Sequence, residues 1–119
     1  MDIMKVQNYK ELIVWQKSIE LVVEVYSITK QFPSEERFGL SSQMQRAAVT
    51  IPSNIAEGAC RNHTNEFKQF LGISYGSSAE LETQIIIAKR LYSTIDYSKA
   101  EKLNLEIQKM LNSLMAKLK

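Results

Sequence analysis

The sequence predicts an all-α fold, an antiparallel up-down-up-down four-helix bundle, on three observations. Apolar residues recur every three or four positions in four separate stretches. Three punctuated gaps divide those stretches. The 119 residues include only 4 Gly and 2 Pro, few for the many turns of an all-β chain. Short links make consecutive helices antiparallel neighbours; a three-helix core with a swapped fourth helix is the alternative packing. The length suits one domain over 1–119, able to bury a modest core without metal or disulfide support.

The first predicted helix runs from about Tyr9 to Gln31. Leu12, Trp15, Ile19, Val22 and Tyr26 form one stripe, and Leu21, Val25, Ile28 and Phe32 form a second beside it, so the helix is expected to be buried on two flanks. Phe32-Pro33 ends it, because the residue before proline is pushed out of the α region. After a loop over 33–40, the second helix starts near Ser41 or Ser42, with Ser42-x-x-Gln45 fitting a capping box. Its core stripe is Met44, Ala48, Ile51, Ile55 and Ala59, flanked by Ala47. Pro52 removes one hydrogen bond and crowds the carbonyl of Ala48, which predicts a kink. Gly58 marks the end region.

The third helix is capped at Asn62 or Thr64 and runs to about Ser93. Its core face is Phe67, Phe70, Leu71, Ser74, Ser78, Leu81, Ile85, Ala88 and Tyr92. Asp96-Tyr97-Ser98 breaks it, and Ser98-x-x-Glu101 reads as a capping box opening the fourth helix. Leu103, Ile107, Met110, Leu111, Leu114 and Leu118 give that helix its apolar side; its polar side is rich in lysine.

Charge excludes little and suggests little. The net charge is +2, from 15 basic and 13 acidic residues, which is weak for a nucleic-acid footprint. Residues 61–119 carry 9 basic and 6 acidic side chains, so the positive excess sits in the second half. Cys60 is the only cysteine, which fits a reducing cytoplasm. Met1-Asp2-Ile3-Met4-Lys5 lacks the long apolar run of a secretory signal, and the longest apolar run, Ile85-Ile86-Ile87-Ala88, is far too short to span a bilayer. No membrane partner and no small-molecule substrate are indicated.

Enzyme chemistry finds no support. His63 is the lone histidine, placed in a polar loop, and its spacing from Cys60 is a weak signal for a nucleophile pair. One His and one Cys do not make a structural zinc site, and phosphate-binding or hydrolase motifs are lacking. The expectation is therefore no catalytic residues, no metal and no cofactor.

Three surfaces are candidates for binding. Opposite the core face of the third helix lie Gly72, Gly76, Ala79, Thr83, Ile86 and Ile87. Two glycines four apart in a helix cost about 1 kcal/mol each against alanine, a cost tolerated where another backbone comes close. Either the alanine-rich second helix packs there, or the face joins copies of the chain in a homo-oligomer. On the second helix, Gln43, Arg46, Thr50, Asn54, Glu57 and Arg61 share roughly a quarter of the circumference. They form a candidate polar network, with Glu80 and Glu82 as partners from the third helix; a plain solvated face is the alternative. Arg46, Arg61, Lys68, Lys89 and Arg90 are the candidate nucleic-acid surface, with Tyr75 and Tyr92 as aromatics able to stack on bases.

The run Gln43-Met44-Gln45-Arg46-Ala47-Ala48-Val49-Thr50-Ile51-Pro52-Ser53-Asn54-Ile55-Ala56-Glu57-Gly58 resembles the signature of the four-helix-bundle proteins encoded within intervening sequences of bacterial 23S ribosomal RNA genes. Tyr9-Lys10-Glu11-Leu12-Ile13-Val14-Trp15-Gln16-Lys17, Phe32-Pro33 and Gly76-Ser77-Ser78-Ala79-Glu80-Leu81-Glu82 extend the likeness over nearly the whole chain. Gln45 stands where the family often has a second arginine, and Ser74-Tyr75 where a small or basic pair is more usual. The resemblance implies a ring-like homo-oligomer, a pentamer, linked to ribosomal RNA by gene location and not by a chemical activity. The accessory factors of diversity-generating retroelements, which bind a reverse transcriptase and nucleic acid, are a similar but more basic type.

Overall fold

The computed structural model describes residues 8–118; the expectation of no secretory signal at Met1–Lys5 falls outside them. Four α-helices follow in order: α1 (Ile13–Thr29), α2 (Leu40–Ala59), α3 (Thr64–Leu91) and α4 (Ser98–Lys117). Two 3-10 turns, Tyr9–Glu11 and Ser34–Glu36, precede α1 and α2, and no strand occurs among the described residues. The fold class is therefore all-α with four helices, as predicted.

The helices pack as a four-sided bundle, α1 against α2, α2 against α3, α3 against α4, and α4 back against α1. The α2–α3 seam is the most extensive. Along it, Gly58 meets Phe67 and Phe70, and Ile51 accepts a hydrogen bond from Ser74. Nearer the start of α2, Ser42, Gln43 and Arg46 line a groove with Ser77 and Glu80. Residue numbers thus fall along one helix as they rise along the other. The molecule measures 45 × 23 × 19 Å.

The core is filled by one apolar stripe from each helix. Leu21, Val25 and Ile28 come from α1, Met44, Ala48, Ile51 and Ile55 from α2, Phe67, Leu71, Leu81 and Ile85 from α3, and Leu103, Ile107 and Leu111 from α4. This matches the predicted stripes on α2, α3 and α4 closely. On α1 the match is partial. Of the first predicted stripe, Leu12, Trp15 and Val22 are half-buried, while Ile19 and Tyr26 face solvent. Only the Leu21–Val25–Ile28–Phe32 flank is fully enclosed, joined by Val14 and Ser18. The reason is geometric: α1 has two helical neighbours, and its remaining flank forms the wall of an open groove.

The helix ends differ from the expected caps. Helix α1 begins at Ile13, because Leu12 is extended (φ −69°, ψ 126°) and separates it from the Asn8-capped turn at Tyr9–Glu11. Ser41 and Ser42 lie inside α2, whose N-cap is Gly39 without a side-chain cap bond. The first-turn amide of Leu40 instead donates to Glu36 Oε1 at 3.2 Å, and Gln45 reaches across to Thr29 Oγ1 at 2.9 Å. His63, not Asn62 or Thr64, occupies the N-cap of α3, also without a side-chain bond. At α4 the Ser98 box does not close: Ser98 Oγ and its amide both donate to Asp96 Oδ1, while Glu101 pairs with Lys89. Pro52 is buried within an unbroken α2. Next to it Ser53 Oγ donates to the carbonyl of Val49 and Thr50 Oγ1 to that of Arg46.

Candidate functional site

The buried polar groups work for the fold. Ser78 Oγ donates to Asn104 Oδ1 at 2.6 Å, and Asn104 Nδ2 donates back to the Ser78 carbonyl at 3.0 Å. This reciprocal pair sits in the α3–α4 seam and fixes its register, because any slide would strand both groups away from water. Ser74, Ser77 and Ser78 are the small residues that let α3 approach its neighbours. Among the described residues one buried side-chain atom, Gln84 Oε1, has no hydrogen-bond partner.

Gly72 and Gly76 make no such approach. A Cβ built on either meets nothing within 4 Å. The alternative in which α2 packs on this face is therefore overturned: α2 uses the serine side of α3. Gly72, Gly76, Ala79, Thr83, Ile86 and Ile87 all face solvent, with Ile86 51% and Ile87 45% exposed. Ile73, 50% exposed, lies on the neighbouring flank, beyond Glu80 on ideal helical steps. On ideal helical steps no charged residue enters the stripe between Lys68 and Arg90, a length of about 33 Å. The close approach that a glycine permits occurs at Gly58, where a Cβ would lie 2.7 Å from Phe70 Cβ and 3.0 Å from Phe67 Cδ1. Sequence reading took Gly58 as a helix-end marker only.

The candidate polar network is split. Gln43, Arg46 and Glu80 come together with Ser42, Thr50 and Ser77 around an open groove of about 590 Å³ between α2 and α3. Asn54 is spent on its own helix, donating to the Thr50 carbonyl. Glu57 pairs with Arg61 at 3.0 Å on the exposed surface. Arg46 and Glu57 therefore do not meet as a compensating pair.

The five candidate cations are all exposed. They are spread along the molecule and do not form one cluster. Arg61 stacks over the Phe70 ring, 5.2 Å from its centroid, as well as pairing with Glu57. Lys89 is held by Glu101 at 3.0 Å. Arg46, Lys68 and Arg90 form no ion pair with a described residue. Tyr75 is half-buried. Tyr92 is half-buried too and packs on Phe32, ring centroids 5.1 Å apart; its hydroxyl donates to the Glu36 carboxylate. That bond pushes the Tyr92 phenol up to about 12 and holds the Glu36 carboxyl below its ordinary value.

Sequence reading missed the segment before α2. Arg37-Phe38-Gly39 puts a ring 87% exposed at a loop tip, with the Arg37 guanidinium 5.3 Å from its centroid. Beside it opens a groove of about 860 Å³ lined by Val23, Tyr26, Lys30, Phe32 and Arg37, among others. The available signal was a loop aromatic outside every helical stripe.

Cys60 and His63 are exposed, and no group of three metal-ligating side chains occurs among the described residues. No helix among them is long and apolar enough to cross a membrane. Seams fixed by small and reciprocal polar residues, with apolar and cationic patches left on the outside, define a small all-α four-helix protein whose distinctive features lie on its surface. The chain belongs to the 23S rRNA-intervening sequence protein family, whose family model matches residues 10–113. It is similar to a protein of unknown function from the S23 ribosomal protein family of Bacteroides thetaiotaomicron VPI-5482, with a TM-score of 0.75 and 26% sequence identity. The match covers 87% of this chain and 98% of that one. No curated protein matches the chain.

Proposed function

We propose that the protein is a non-catalytic, RNA-associated binding protein that acts as a homo-oligomer in the cytoplasm. The observation that carries this reading is the family match over residues 10–113, in a family named for an intervening sequence of 23S ribosomal RNA. The uncharged stripe of α3 supports assembly: Ile86 and Ile87 lose water-exposed apolar area if a second copy covers them. The expected subunit count is five. Assembly repeats Arg46, Lys68 and Arg90 around the particle, which raises a local positive field that one chain with net charge +2 lacks.

The test is binding of a structured RNA hairpin followed by fluorescence anisotropy at two salt concentrations. Affinity is expected to fall steeply with salt, with a log–log slope near −0.9 for each phosphate neutralised on duplex. No binding at low salt overturns the RNA reading.

One observation favours a second reading, a protein scaffold or adaptor, including an accessory factor for a reverse transcriptase and its nucleic acid. Two of the five candidate cations are held by carboxylates, whereas the α3 stripe is broad and uncharged. Co-purification of a partner protein from native lysate that survives nuclease treatment is the outcome that supports this reading over the first.

A further inference from the structure

We propose that Phe38 is a stacking platform for an unpaired RNA base, with Lys30, Arg37 and Arg46 holding the phosphates on either side. The proposal rests on the RNA-associated reading and names the surface that serves it.

Among the described residues Phe38 is the most exposed large apolar side chain, at 87%. An exposed ring on a fraying loop would mean little, but this loop is tied down. Arg37 N–H donates to the Ser34 carbonyl and Gly39 N–H to that of Glu36. The Glu36 carboxylate then accepts from the Leu40 amide and the Tyr92 hydroxyl, which fastens the loop to α2 and to the end of α3. The backbone that carries the ring into water is therefore braced on both sides.

The chemistry around the ring suits a polyanion carrying flat bases. Arg37 lies over the ring, and a base on the opposite face completes a three-layer stack of guanidinium, phenyl and nucleobase. On one side, Phe38 lines the α2–α3 groove with Arg46, the hydrogen-bonding groups of Ser42 and Gln43, and one carboxylate, Glu80, at its far wall on α3. On the other, Arg37 and Lys30 line the larger groove, whose charged lining residues are both cations. None of Lys30, Arg37 and Arg46 is in an ion pair with a described residue. Val23 and Tyr26 add exposed apolar surface to the larger groove, so it is the cations, not a lack of apolar area, that favour RNA over a protein partner.

The experiment measures anisotropy of two labelled probes, a single-stranded oligouridylate and a blunt RNA duplex, with the full chain and its variants at low salt. Phe38→Ala is expected to weaken oligouridylate binding by about ten-fold or more and to leave duplex binding within about two-fold. Phe38→Tyr, which keeps the ring, should retain the single-strand affinity. Arg37→Gln and Arg46→Gln together should weaken both probes and flatten the salt dependence. Equal affinity of wild type and Phe38→Ala for oligouridylate overturns the platform while leaving RNA association standing on the hairpin result. Equal weakening of both probes by Phe38→Ala overturns it as well. A fall in sedimentation coefficient on Phe38→Ala assigns the ring to a contact between copies and also overturns it. If wild type binds no RNA of any kind, the underlying reading fails first.

Discussion

Single residues divide into those pressed on by neighbours and those left open. Gly58 is the tightest case: a methyl group there would collide with the Cβ of Phe70, which is fixed to its own backbone. Gly58→Ala is expected to cost about 1–3 kcal/mol in chemical denaturation. Gly72→Ala and Gly76→Ala meet nothing and should each stabilise the subunit by up to about 1 kcal/mol through helix propensity. Identical effects at all three positions would contradict the packing described above. At Glu36 the prediction concerns pH. Its carboxyl is held below its ordinary 4.5, chiefly by the Tyr92 hydroxyl. That contribution is complete above pH 4.5 and is lost as pH falls through the lower folded value. Tyr92 is raised from 10.0 to about 12, so its contribution is complete below pH 10 and is lost as pH climbs to about 12. Thermal melts of wild type and Tyr92→Phe should differ at neutral pH and converge at both extremes; a constant gap across pH would refute the linkage.

At the scale of elements, the reciprocal bonds between Ser78 and Asn104 make the α3–α4 seam specific. Asn104→Ala leaves the buried Ser78 hydroxyl without its partner and is expected to cost about 1–3 kcal/mol. Combining Ser78→Ala with Asn104→Leu should recover part of that loss in a double-mutant cycle, since both polar partners are then removed. The elements were also the most legible part of the sequence. Periodicity located α2, α3 and α4 and most of their buried residues, because each helix turns one inner face to its two neighbours and that face shows as a stripe. It overstated α1, where Ile19 and Tyr26 continue a second stripe in pattern yet face solvent. Caps were the least legible. Gly39, His63 and Tyr97 hold positions where serine, threonine or asparagine was expected. The Leu40 amide is satisfied from outside α2, by Glu36 in the preceding turn, and no local motif encodes that reach. The bend expected at Pro52 awaits residual dipolar couplings across α2; collinear halves would rule it out.

Considered whole, the molecule keeps its unexplained surface in two places, the α3 stripe and the segment before α2. Of the first, Ile86, Ile87 and the glycines were legible, because a helix showing a second weakly polar side stands out against its own polar neighbours. Of the second only Phe38's place outside every helical stripe was legible, a weak signal, because a loop carries no period against which an aromatic looks misplaced. Of the cations chosen by charge alone, Arg61 is paired with Glu57 one turn away on the chain, which spacing shows, whereas Lys89 is met by Glu101 from another helix, a tertiary fact that no stripe encodes. If assembly uses the α3 stripe, Ile87→Glu should shift the chain to a monomer in sedimentation velocity at micromolar concentration while leaving its helical circular dichroism unchanged. An unaltered sedimentation coefficient would remove that face from the interface.

The brace on the 34–39 segment carries a thermodynamic consequence for whatever lands there. Recognition by a floppy loop forfeits part of its attraction to freezing the backbone, about 1–2 kcal/mol for each residue fixed. With Glu36 already anchoring the segment at Leu40 and Tyr92, most of that ordering is complete before any visitor arrives. Cutting one anchor with Tyr92→Phe, which keeps the Glu36 charge, should therefore loosen recognition at Phe38 without touching the ring itself.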